Sequence, residues 1–80
     1  MENLDINNFD KAIKEGKVLV DFYANWCAPC NMLLSVLEEL AKNKIIIVKK
    51  VNVDNSRELS KRYGVMSIPT LILFDNGIEI

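Results

Sequence analysis

The feature that most constrains the fold of this chain is a five-residue segment, Trp26-Cys27-Ala28-Pro29-Cys30. It lies between a short run rich in β-branched and aromatic residues, Val18 to Tyr23, and the longest helical pattern of the sequence, Ala28 to about Lys42. A strand must therefore hand over to a helix at the cysteines. Cysteines at i and i+3 in a first helical turn face one side. Their sulfurs can then close to a disulfide with little backbone movement. Cys27 falls at or near the N-cap, where unpaired backbone N–H groups and the positive end of the helix dipole favour a thiolate and lower the thiol pKa. Pro29 has no N–H to leave unpaired, which a first turn tolerates. Cys30, one turn deeper, is expected to be the more buried and less acidic sulfur.

The rest of the chain alternates between the two periodicities. Asn7 can cap a short helix, with Asp10 completing a capping-box-like pair, and Phe9, Ala12 and Ile13 form one apolar stripe ahead of Gly16. Val18 to Tyr23 reads as a fully buried strand interrupted by one acid, Asp21. In the long helix Leu33, Val36, Leu37, Leu40 and Ala41 make the main stripe, which Met32 and Leu34 widen, so cover is expected on more than one side. Ile45 to Val53 is a second strand. Asn55 or Ser56 caps a short helix that Gly64 ends. Thr70 to Phe74 is a third strand, Asn76-Gly77 a two-residue hairpin turn, and Ile78-Glu79-Ile80 a return strand. Strands joined by helices are expected to be parallel with right-handed crossovers, and the last pair antiparallel. Helices must then cover both faces of the sheet.

Composition narrows the function. Eighty residues are one small domain, 1–80, that buries only about 60–65% of the surface of its unfolded chain. Ten basic against eleven acidic residues argue against an electrostatic nucleic-acid binder and against a polybasic membrane-surface segment. The longest apolar run, Ile45 to Val48, is four residues, far short of the ~20 that a bilayer span needs. The first residues carry no signal-peptide pattern, so a reducing, cytoplasmic compartment is expected. There a close cysteine pair is more often catalytic or metal-binding than a structural staple.

The chain resembles the thioredoxin family over almost its whole length. The matching residues are Val20-Asp21-Phe22-Tyr23-Ala24, Trp26-Cys27-Ala28-Pro29-Cys30, Lys50-Val51-Asn52-Val53-Asp54, Tyr63-Gly64-Val65, Ile68-Pro69-Thr70-Leu71 and the Asn76-Gly77 turn. The resemblance implies an α/β fold of thioredoxin type, a central mixed sheet with helices on both faces. It implies a thiol–disulfide oxidoreductase that reduces protein disulfides, takes part in electron transport and cell redox homeostasis, needs no bound cofactor or metal, and is recharged by a thioredoxin reductase. Cys27 then resembles the nucleophile and Cys30 the resolving thiol. Asp21 resembles a buried acid that helps deprotonate the resolving thiol, and Lys50 the lysine paired with it. Ile68-Pro69 resembles a cis-proline loop facing the cysteines. Trp26, Ala28, Pro29 and Ile68 would form an apolar docking rim for substrate. Tyr23 is read as packing beside the site.

The sequence departs from the family pattern in four places. Ala28 replaces a glycine, Asn31 stands where lysine is common, and Ser35 replaces a helix-kinking proline. The chain also stops at Ile80, three residues into the last strand and before the family's final helix. Leu71, Leu73 and Leu34 are therefore expected to lose cover, which points to self-association, to a partner on that face, or to a truncated, weakly active fragment or binding module. A dimer bridged by a metal on four cysteines is a further alternative, since one chain offers only two thiolates.

Overall fold

The computed structural model describes residues 1–80. In chain order the elements are α1 (Phe9–Ala12), β1 (Lys17–Tyr23), α2 (Ala28–Ala41), β2 (Ile46–Asn52), α3 (Arg57–Arg62), β3 (Thr70–Asp75) and β4 (Ile78–Glu79). The four strands form one mixed sheet in the order β2-β1-β3-β4.

β1 and β2 are parallel, with Asp21 opposite Lys50 and Leu19 opposite Val48. β3 runs antiparallel to β1, pairing Phe22 with Thr70 and Asp21 with Leu71. This corrects the expectation that all helix-linked strands are parallel. α2 has fourteen residues and spans roughly 21 Å, enough to return the chain past a seven-residue strand. α3 has six residues and spans only about 9 Å. The chain therefore enters β3 near the end of the sheet where β2 left it, and must run the other way.

Strand alternation sorts side chains between two faces. Val18, Val20 and Phe22 of β1 join Phe9 and Ile13 from the α1 region, Val51 of β2, Leu59 of α3, and Ile72 and Phe74 of β3 in the main core. Phe9, Tyr63 and Phe74 pack ring against ring, with Phe74 edge-on to both partners. Leu19, Asp21, Tyr23 and Lys50 point to the opposite face, where α2 lies over β2. Helices thus occupy both faces.

The caps differ from the sequence reading. α1 starts after Asn8, not Asn7, and its cap side chain is spent elsewhere: Asn8 Oδ1 accepts from Asp5 N–H at 2.8 Å, and Asp5 Oδ1 accepts from Asn7 N–H at 2.8 Å. α3 starts after Ser56, whose side chain makes no cap bond. Asn52 Oδ1 instead takes the N–H groups of Asp54 and Asn55. Gly64 does end α3: Val65 N–H returns to Ser60 O and Gly64 N–H to Lys61 O, the Schellman pattern, with Gly64 at φ +64°.

The α2 stripe is also redrawn. Cys30 and Leu37 are buried and Leu33, Leu34 and Leu40 half-buried, whereas Val36 is 61% exposed and Ala41 is exposed. The buried line therefore runs from the cysteine pair down one side, and Met32 is left in the open. Leu71 is exposed and Leu73 half-buried, so the α2 side of β3 lacks the cover that Ile72 and Phe74 have on the other side.

Candidate active site

The site forms where β1 ends and α2 begins. Cys27 is the N-cap of α2, with Pro29 in the first turn. Its Sγ accepts the Cys30 backbone N–H at 3.2 Å, so one of the orphan donors of the helix start is spent on sulfur. Cys27 and Cys30 are joined as a disulfide, with Cα atoms 5.2 Å apart. The i, i+3 spacing at a helix start thus brings the sulfurs together as the sequence implies. The expected difference in burial is not present: Cys27 is 5% and Cys30 4% exposed. Both pack with Ala24 beneath Tyr23, Val53 and Ile68, which cover the first sulfur as fully as the second.

Ile68–Pro69 is a cis peptide bond, and its loop faces the pair. The Ile68 carbonyl oxygen lies 4.0 Å from Cys27 Sγ. Around it Trp26 is 72% and Met66 95% exposed, and Ala28 and Pro29 are also exposed. Trp26, Val53, Val65, Met66 and Ile68 line an apolar groove of about 390 Å³, and Val53 and Ile68 also pack against the cysteine pair. Large exposed apolar side chains gathered beside a reactive pair are the kind of patch that marks a protein-docking surface. Met66 gave no signal in the sequence; only its position across from Trp26 brings it into the rim.

Trp26 is held in place despite its exposure. Its Nε1–H donates to Asp54 Oδ2 at 2.8 Å. Sequence reasoning assigned Asp54 no separate role, because the two residues are 28 positions apart and meet only once β1 and β2 are paired. Asn31 makes a second local tie, donating from Nδ2 to the Asn25 carbonyl at 3.3 Å across the cysteine turn.

Asp21 lies on the α2 face of β1 and is 2% exposed. Its Oδ1 has no hydrogen-bond partner. Burial pushes the carboxyl above the usual aspartate range, and the positive charge of Lys50 opposes this. Lys50 stands directly opposite in the register, but the two form no ion pair; the ion pairs of the chain are Lys42–Glu39, Lys49–Glu2 and Arg62–Asp10. The Lys50 ammonium sits instead over the Tyr23 ring, 4.8 Å from its centroid. The paired lysine that the resemblance implies is thus present in register and absent as a direct contact.

A disulfide at a helix start, a carbonyl beside its first sulfur and a buried acid on the same face make a unit that can exchange two electrons with another disulfide. The chain contains no cluster of three or more potential metal ligands, and no helix is long and apolar enough to cross a membrane.

Comparison with known proteins agrees with this geometry. The family model described as Thioredoxin matches residues 1–80. A thioredoxin of Chlamydia caviae is 50% identical over 74 residues, covering 91% of this chain and 72% of its own. A thioredoxin of Alicyclobacillus acidocaldarius is 52% identical over 73 residues, covering 88% and 70%. The solved structure of Plasmodium falciparum thioredoxin superposes with a TM-score of 0.95 at 30% identity, covering all of this chain and 81% of that one.

Proposed function

The chain belongs to the thioredoxin family, and from that premise we propose how its residues divide the work of a protein-disulfide oxidoreductase. The family makes it a thiol–disulfide oxidoreductase acting on disulfide-containing proteins; the fragment, binding-module and metal-bridged readings are not favoured. In the proposed cycle the Cys27 thiolate attacks one sulfur of a substrate disulfide. A Cys27–substrate mixed disulfide forms and the first substrate thiolate leaves. The Cys30 thiol gives its proton to the Asp21 carboxylate and attacks Cys27 Sγ. The second substrate thiolate leaves, and the Cys27–Cys30 disulfide closes. Two electrons pass from the dithiol to the substrate, whose thiolates take up two protons.

The observation that carries this reading is the Cys27 sulfur at the N-cap of α2, accepting the Cys30 N–H. A donor that serves the disulfide sulfur serves a thiolate better, because hydrogen bonds to a charged acceptor are stronger. Ile68 and Pro69 would present an extended substrate segment to Cys27, with Trp26, Ala28 and Pro29 as the rest of the rim. Lys50 would assist Asp21 through its charge.

Several finer readings belong to the same proposal. A thioredoxin reductase fed by NADPH or ferredoxin returns the electrons, which places the chain in an electron-transport role. The cytoplasm suits a dithiol that must be kept reduced. Residues 1–80 fold as one unit. Leu71 and Leu73 on the α2 side of β3, with Leu34 of α2, support association with a second copy; a compact monomer in sedimentation that binds no ANS contradicts this.

Reduction of insulin disulfides with dithiothreitol tests the cycle. The wild type is expected to turn over, Cys27→Ser to be inactive, and Cys30→Ser to accumulate a mixed disulfide. A wild type with no turnover, or a Cys27→Ser variant that retains it, contradicts the assignment.

A further inference from the structure

We propose that Tyr23 is a positioning residue, anchored by Asn3, whose ring holds the Lys50 ammonium off Asp21 and so leaves the carboxylate free to take the Cys30 proton. The inference rests on the reading of Asp21 and Cys30 given above and deepens it.

Asp21 and Lys50 are partners in the β1–β2 register, on one face of the sheet. Paired parallel strands lie about 4.8 Å apart, well within reach of a lysine stem. Two opposite charges so placed ordinarily close on each other. Here they do not: Asp21 Oδ1 is without a partner, and Lys50 Nζ lies 4.8 Å from the Tyr23 centroid, a cation–π distance.

The arrangement is fixed from both ends. Tyr23 Oη donates to Asn3 Oδ1 at 2.7 Å, which fixes the far edge of the ring. Asn3 in turn forms a parallel β-bridge with Lys50. Leu4 N–H donates to Lys50 O at 2.7 Å and Lys50 N–H to Glu2 O at 2.9 Å. Residues 2–4 therefore hold the backbone of the lysine and the ring that receives its charge. None of these contacts belongs to the cysteine turn itself.

The groups that face Asp21 are few. β1 contributes Tyr23 and β2 contributes Lys50, while Glu38 and Glu39 of α2 are turned to solvent. β3 offers only Leu71 and Leu73. Asp5 lines the polar cavity beside Tyr23 and is exposed. Lys50 is the one cation able to neutralise Asp21 from inside this face, so the place where its ammonium rests decides how basic the carboxylate is. Held on the ring, it tempers the acid without quenching it.

The test is a carboxyl NMR titration of Asp21 in the oxidised protein, where neither cysteine titrates, in the wild type, Tyr23→Leu, Lys50→Met and the double variant. Without the ring the ammonium closes on Asp21, and the proton affinity of Asp21 is expected to fall about threefold or more. In the Lys50→Met background the same ring deletion is expected to change nothing. An unchanged or raised affinity in Tyr23→Leu overturns the proposal, as does an equal fall with Lys50 absent, which would mean altered packing or solvation. Should Tyr23→Leu not fold, Asn3→Ala at its exposed position frees the ring and is expected to lower the affinity in the same direction; no change overturns the proposal. The readout involves no substrate, so failure of the disulfide-reductase reading would appear in the insulin assay and leave this titration standing.

Discussion

The indole of Trp26 is bound to Asp54: Nε1–H donates to Oδ2 at 2.8 Å, although the indole as a whole is mostly in solvent. A large apolar side chain beside a reactive disulfide is thereby kept in one orientation. An ordered rim loses less side-chain entropy when a partner docks than a mobile one does.

Asp54→Ala releases the indole. The hydrogen bond is exposed, so its loss is set at about 1 kcal/mol. In insulin reduction this predicts a KM raised roughly fivefold with kcat nearly unchanged. Trp26 is the sole tryptophan, so fluorescence anisotropy reports on it alone and should fall in the variant. An unchanged KM together with a mobile indole would show that the orientation does not matter.

Asp21 makes stability depend on pH. Burial holds its folded-state pKa above the 3.8 of an exposed aspartate. As pH rises from 3.8 through the folded value, the folded state binds more protons than the unfolded one, so stability falls across that window and is level above it. Asp21→Asn removes the charge that cannot be satisfied. It is expected to unfold at higher urea than the wild type at pH 7, by roughly 1–3 kcal/mol, while activity drops. The gain should shrink as pH is lowered toward 3.8. A variant less stable than the wild type at pH 7 contradicts the assignment of an uncompensated buried carboxylate.

Phe74 is 1% exposed and packs edge-on to Phe9 and Tyr63 at centroid distances of 5.8 and 5.4 Å. It links β3 to the α1 and α3 side of the core. Phe74→Ala should cost about 3–5 kcal/mol, against a total of about 5–15 kcal/mol for an ordinary domain. Urea unfolding checks this; a loss below about 1 kcal/mol would show that the cavity collapses.

Asn76 ties the hairpin to the turn before β1. Its Oδ1 accepts the Gly16 N–H at 2.8 Å, and its own N–H donates to Gly16 O at 2.9 Å. It also sits at φ +50°, where asparagine is tolerated better than most residues. Asn76→Ala loses the side-chain bond and strains the turn, an expected destabilisation of about 1–2 kcal/mol in thermal or urea unfolding. Asn76→Gly should recover the backbone part of that loss.

What the sequence made legible was local. The handover from strand to helix, Cys27 at the helix start and the Asn76-Gly77 turn each depend on residues within one turn of each other. The burial of Asp21 could be read from its apolar neighbours on both sides. The misread features are those in which distant segments decide. The direction of β3 follows from the shortness of α3, which strand and helix periodicity do not report. The cap of α1 was read at Asn7, whereas the helix starts after Asn8, whose side chain the Asp5 backbone claims. Trp26–Asp54 and Tyr23–Asn3 join residues 28 and 20 positions apart, and no spacing rule pairs them. Asp21 and Lys50 were matched by family resemblance; that the ammonium turns aside to Tyr23 depends on a ring and an N-terminal segment that must first be assembled around it.

The most direct measurement is the pH dependence of Cys27 alkylation in the reduced protein, with Cys30→Ser used to isolate the thiol. A sulfur at a helix N-cap, facing the Cys30 N–H, should ionise well below the ~8.5 of a free cysteine and react correspondingly faster near neutrality. A rate profile that coincides with that of free cysteine, or a thiol that iodoacetamide cannot reach, would contradict the account.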